Sequence, residues 1–88
     1  MKKYKLNTGF LTQKVKDKTT VFSGEDSALF TFNDTAAYIF TGIKLQWDRE
    51  KIVGGLKKRF DVTREKAEMD IENFVKQLEE NKIIVPLG

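Results

Sequence analysis

Residues 28–40 read Ala28-Leu29-Phe30-Thr31-Phe32-Asn33-Asp34-Thr35-Ala36-Ala37-Tyr38-Ile39-Phe40, and their period changes in the middle. Up to Phe32 the pattern repeats every two residues. Ala28, Phe30 and Phe32 share one face of an extended strand, and Leu29 and Thr31 share the other. The first set reads as the core face. From Asp34 onward, Ala36, Ala37, Phe40 and Ile43 recur at three- and four-residue spacings, which predicts a helix over about 34–43. Asn33 stands at the junction. Its side-chain oxygen can accept from the unpaired N–H groups of the first helical turn, so it reads as the N-cap.

Upstream of this junction lie two more strand-like runs, 10–16 and 19–23, separated by the short turn Asp17-Lys18. Ser23-Gly24-Glu25-Asp26-Ser27 is a second turn cluster leading into the strand at 28–32. Three antiparallel strands with tight connections follow. The first nine residues are left free to flex.

Downstream, Asp48 reads as the cap of a second helix that runs to about Phe60. Trp47 and Ile52 flank that cap at the spacing of a hydrophobic staple. Ile52, Val53, Leu56 and Phe60 form its inward stripe. Gly54-Gly55 interrupts it at a cost of about 1 kcal/mol per glycine, for which close approach of another backbone is one explanation. Thr63 caps a third helix over about 64–82, with the amphipathic stripe Ala67, Ile71, Phe74, Val75 and Leu78. Ile83-Ile84-Val85 is a short apolar tail expected to pack back on the sheet or the helices. Strands followed by helices define an α+β class: a three-stranded antiparallel sheet, then three helices.

The chain of 88 residues is the length of a single small domain, spanning 1–88, and 40% of it is hydrophobic. It contains no cysteine and no histidine. Disulfides, thiol nucleophiles and imidazole chemistry are therefore excluded, and neither a metal site nor a cofactor is expected. Among the remaining polar residues no nucleophile stands beside a base at motif spacing, so the chain does not read as an enzyme. No apolar run approaches the roughly 20 residues needed to span a bilayer, and a cytoplasmic location is expected.

Charge is uneven. Residues 1–18 carry six lysines against Asp17, a net +5. Residues 48–60 carry five basic residues against Asp48 and Glu50, a net +3. Residues 63–82 carry four basic and six acidic residues, a net −2. The basic excess favours an acidic partner near the N-terminal half, and Lys57, Lys58 and Arg59 make the second helix either a candidate docking face for a larger enzyme or an ordinary solvated surface.

Phe32-Asn33-Asp34-Thr35-Ala36-Ala37-Tyr38-Ile39-Phe40 also resembles the strand-to-helix junction of the PqqD family. Ile52-Val53, Leu56 and Arg59-Phe60-Asp61-Val62 resemble its second helix and the turn after it. Ala67, Asp70-Ile71, Phe74-Val75, Leu78 and Asn81-Lys82-Ile83-Ile84 resemble its third helix and closing tail. The likeness spans roughly residues 10–85, while Trp47 and Gly54-Gly55 depart from the pattern. It implies a winged helix-turn-helix fold and the role of a stand-alone precursor-peptide recognition element. Such a protein binds the leader segment of a ribosomally synthesised precursor peptide and presents it to a modifying enzyme, whether a radical enzyme, a cyclase or a leader protease.

The resemblance further implies that the leader adds as a strand to the third strand, beside the third helix. Strand addition needs an exposed sheet edge, and the last strand of the sheet meets that need. The expected peptide-binding residues on the strand are Ala28, Leu29, Phe30, Thr31 and Phe32. With Ala67, Ile71, Phe74 and Leu78 inward, one flank of the third helix carries Lys66, Asp70, Asn73 and Gln77. The other carries Glu68, Glu72, Val75 and Glu79. The first flank, with mixed donors and acceptors, is the expected groove lining. The alternative function is DNA binding by a winged helix, suggested by a pI near 9.2. The net −2 of the third helix opposes its entry into a DNA groove.

Overall fold

A computed structural model describes residues 3–16, 18–24 and 29–87. The elements in order are β1 (Tyr4–Leu6), β2 (Phe10–Val15), β3 (Lys18–Ser23), β4 (Leu29–Phe32), α1 (Asp34–Lys44), α2 (Arg49–Phe60), α3 (Arg64–Glu80) and β5 (Ile84–Pro86). The three helices begin at their expected caps. The side chains of Asn33, Asp48 and Thr63 accept from the backbone N–H groups of Ala36, Lys51 and Lys66 respectively. Between α2 and α3, Asp61 takes a left-handed conformation at φ 51°, which stops one helix so that the next can start at an angle to it.

The main sheet is antiparallel in the order β2-β3-β4. Val15 pairs with Lys18, so Lys18, read from the sequence as part of the turn, belongs to β3. Lys16 sits at φ 52°, and Asp17 lies outside the described residues. The α+β class stands, but a single three-stranded sheet in a winged-helix frame does not cover the whole chain. Tyr4–Leu6, within the segment read as free to flex, pairs antiparallel with Ile84–Pro86 to form a second, two-stranded sheet. Asn7 N–H donates to the Ile83 carbonyl and Leu87 N–H to the Lys3 carbonyl, extending this clasp at both ends. Three residues beside lysines carry too little alternation to be read as a strand. Their partner is also some eighty positions away, beyond any local pattern.

One core joins the helices to the sheets. Ile39, Phe40 and Ile43 of α1 meet Ile52, Val53 and Leu56 of α2 and Ala67, Ile71, Phe74 and Leu78 of α3, with Val21 and Phe32 contributed by the main sheet. Phe32 is the hinge of this packing. Its ring lies 5.1 Å from that of Phe40 and 5.0 Å, edge-on, from that of Phe74, tying β4 to both helices. The α1 stripe differs from expectation in three positions. Ile39 is fully buried, whereas Ala36 and Ala37 are only partly buried and border different hollows. Their short side chains leave a hollow on each flank of α1.

The adjacent glycines of α2 have different explanations. A Cβ on Gly54 would meet open space. One on Gly55 would overlap the hydroxyl and ring of Tyr38, so the close approach is by a side chain and not by another backbone. Gly54→Ala is expected to raise stability by about 0.5–1 kcal/mol through helix propensity. Gly55→Ala gains the same propensity but displaces a ring held between Trp47 and Phe60, an overpacking cost of about 1–3 kcal/mol, so it should destabilise or at best break even. Urea midpoints of the two variants, measured side by side, check this. Equal stabilisation by both would show that Tyr38 moves aside without cost.

Candidate functional site

β4 is an edge strand. Its register with β3 runs from Phe22↔Leu29 to Thr19↔Phe32, and among the described residues no strand pairs with its other side. Alternate residues of an antiparallel strand direct both N–H and C=O away from the paired neighbour, so this edge presents unpaired backbone groups. Thr31 is exposed and Leu29 projects into solvent with 67% of its surface accessible, while Phe32 on the opposite face is buried and Phe30 half-buried.

A groove opens along this edge in two lobes. The first, about 390 Å³, lies between β4 and the C-terminal half of α3, over an apolar floor of Phe32, Phe74, Leu78 and Ile83. Leu29, Phe30 and Thr31 form one wall and Gln77 and Asn81 the other. The second lobe, about 440 Å³, continues between the start of α1 and the middle of α3. Lys66, Asp70, Asn73 and Gln77 line it on the α3 side, and Asn33, Thr35 and Ala36 on the α1 side. Asn33, Ala36, Phe74 and Gln77 border both lobes, which makes one channel of them. Lys66 Nζ donates to Asp70 Oδ1 at 2.7 Å, so two lining residues of opposite charge hold each other in place.

The structure therefore brings together eight of the nine residues singled out from the sequence: Leu29, Phe30, Thr31 and Phe32 in the first lobe, Lys66, Asp70 and Asn73 in the second, and Gln77 in both. Ala28 lies outside the described residues. The other flank of α3 is turned toward β1 and α2 and is occupied by internal contacts. Glu72 accepts from Arg49 at 2.9 Å, Glu68 from Arg64 at 3.0 Å, and Glu79 from the Tyr4 hydroxyl at 3.2 Å, while Val75 is buried. Burial and the neighbouring Glu79 carboxylate push the Tyr4 phenol upward from its ordinary pKa. Arg64 also binds Glu50 and holds that carboxyl below its usual range.

Asn33 and Ala36 were read from the sequence only as a cap and a core position. Nothing in a helical period signals that a cap and a half-exposed alanine will form the wall of a channel. That depends on how α1 crosses α3. Among the described residues no cluster of acidic side chains is placed to hold a metal ion, and no helix is long and apolar enough to cross a membrane.

A family model described as coenzyme PQQ synthesis protein D (PqqD) matches residues 19–84. The chain belongs to the PqqD family. Its fold is shared by a solved lasso peptide synthetase B1 complexed with the leader peptide, at 24% identity and a TM-score of 0.88, covering 96% of this chain and 99% of that one. It is shared as well by TbiB1 in complex with the TbiA(beta) leader peptide, at 15% identity and a TM-score of 0.82, covering 96% and 98%. No curated protein sequence matches the chain.

Proposed function

We propose that this protein is a peptide-binding module and not an enzyme, one that captures the leader segment of a ribosomally synthesised precursor peptide and presents it to a modifying enzyme or leader protease in the cytoplasm. The observation that carries this reading is the unpaired edge of β4 running beside a two-lobed channel with an apolar floor. Family membership and the leader-peptide complexes of two proteins of the same fold support it.

The leader would extend the sheet as a fourth strand along Leu29–Phe32. Its main chain would bond to the outward groups of β4 at about 1 kcal/mol net per bond. A strand places successive side chains on opposite faces, so alternate leader residues would point down into the channel. One apolar anchor over Phe74 and Leu78 would contribute about 1.5–3 kcal/mol. Lys66, Asp70, Asn73 and Gln77 would read polar leader side chains. The acidic character of residues 63–82 opposes the alternative in which α3 enters a DNA groove.

The test is titration of isotope-labelled protein with the leader of a precursor encoded beside its gene. Amide shifts should concentrate at residues 29–32 and along 66–77. Binding that leaves both segments unmoved would end the groove assignment.

A further inference from the structure

The second flank of α1 carries a different surface. There Ala37 leaves a hollow of about 580 Å³ between α1, the C-terminal half of α2 and the β2–β3 hairpin. Its walls include Tyr38, Trp47 and Phe60, three half-buried rings packed together, with centroids 5.5 Å apart for Tyr38–Trp47 and 6.4 Å for Tyr38–Phe60. The Arg59 guanidinium lies 4.9 Å from the Tyr38 ring centre and the Lys51 ammonium 4.6 Å from that of Trp47. Residues 51, 55, 58 and 59 share one flank of α2, which adds Lys58 to this side, and Lys14 approaches from the hairpin.

Among the described residues, none of Lys14, Lys51, Lys58 and Arg59 forms an ion pair, whereas the arginines at 49 and 64 and Lys66 all do. Asp34 lines the hollow as its one acid. Asp48 and Asp61 stand close in sequence, and the Asp48 carboxylate is engaged as the cap of α2. Exposed cations stacked on rings around a hollow of mixed polar and aromatic lining form a surface of predominantly positive sign.

We infer that this hollow is a docking site for an acidic segment of a partner protein, one that places carboxylates against Lys51, Lys58 and Arg59 and an apolar side chain against Tyr38 and Trp47. Charge complementarity selects the occupant. A nucleic acid is the poorer fit because bases stack on open ring faces, and cations already stand over Tyr38 and Trp47. The hollow and the channel beside β4 lie on opposite flanks of α1, so both can be filled at once. If the leader-binding reading holds, the enzyme that receives the leader is the partner; the docking site itself does not depend on that.

The experiment titrates the labelled protein with a synthetic dodecapeptide of alternating glutamate and leucine, with duplex DNA of equal charge in parallel. The Trp47 indole N–H and the amides of 34–41 and 55–60 should shift on addition of the peptide. The double variant Lys51→Glu/Arg59→Glu, confined to the surface, should weaken peptide binding about tenfold or more. Leader affinity should be the same in the double variant as in the parent. Peptide shifts confined to other surfaces, indifference to the double variant, or tighter binding of DNA than peptide at the hollow would each overturn the proposal. Loss of leader binding in the parent protein, with the dodecapeptide still held at the hollow, would refute the leader reading alone.

Discussion

Phe74→Ala should be among the most damaging single truncations in this protein, with an expected loss of about 3–5 kcal/mol. Phe74 is 9% exposed, packs edge-on against Phe32 and forms the floor shared by both lobes of the channel. Its removal deletes the transfer energy of a buried ring and leaves a void that α1, α3 and β4 cannot close without moving relative to one another. For a domain of 88 residues the total stability is on the order of 4–13 kcal/mol, so this one change uses up a large share of it. Urea denaturation followed by circular dichroism measures the effect, with the slope compared to confirm a two-state transition. A loss below about 1 kcal/mol would mean that the channel floor collapses freely, and that the gap between β4 and α3 is not a fixed feature of the fold.

Gln77→Trp separates binding from folding. Gln77 is exposed, borders both lobes and uses only its backbone carbonyl in the hydrogen bonds around Asn81. An indole at this point fills the middle of the channel while leaving the helix and the core intact. Leader affinity should fall about a hundredfold, equivalent to ~2.7 kcal/mol, with the urea midpoint close to that of the parent. Calorimetric titration with the leader reads the first quantity. Unchanged affinity would place the leader elsewhere on the protein, and the β4–α3 channel would lose its assigned role. The two variants together therefore divide the structural role of the channel floor from the recognition role of its wall.

Both variants act on a site whose parts were visible in the sequence but whose assembly was not. The alternation over 28–32 marks a strand, and the spacing 67-71-74-78 marks the buried face of α3. Once that face is known, rotation about the helix assigns 66, 70, 73 and 77 to one flank and 68, 72, 75 and 79 to the other. Which flank faces β4 is a chirality of packing, and no local pattern contains it. The structure resolves it through distant partners: Arg49 and Tyr4 hold Glu72 and Glu79 toward α2 and β1, leaving the mixed polar flank toward the channel. The role of Ala36 and Ala37 escaped in the same way. A helical period records that they are small and apolar, not that they border empty space.

The switch from a two-residue to a helical period at Phe32-Asn33-Asp34 was enough, by itself, to determine an α+β chain with a strand feeding a capped helix. Caps, staples and amphipathic stripes likewise determined the positions of α1, α2 and α3, because each is a short-range device satisfied within a few residues. Tertiary structure alone decided the β1–β5 clasp, the channel beside β4 and the aromatic hollow across α1. Each of these joins segments far apart in the chain. Their stability comes from surfaces buried between elements, and that burial exists only once the elements have packed.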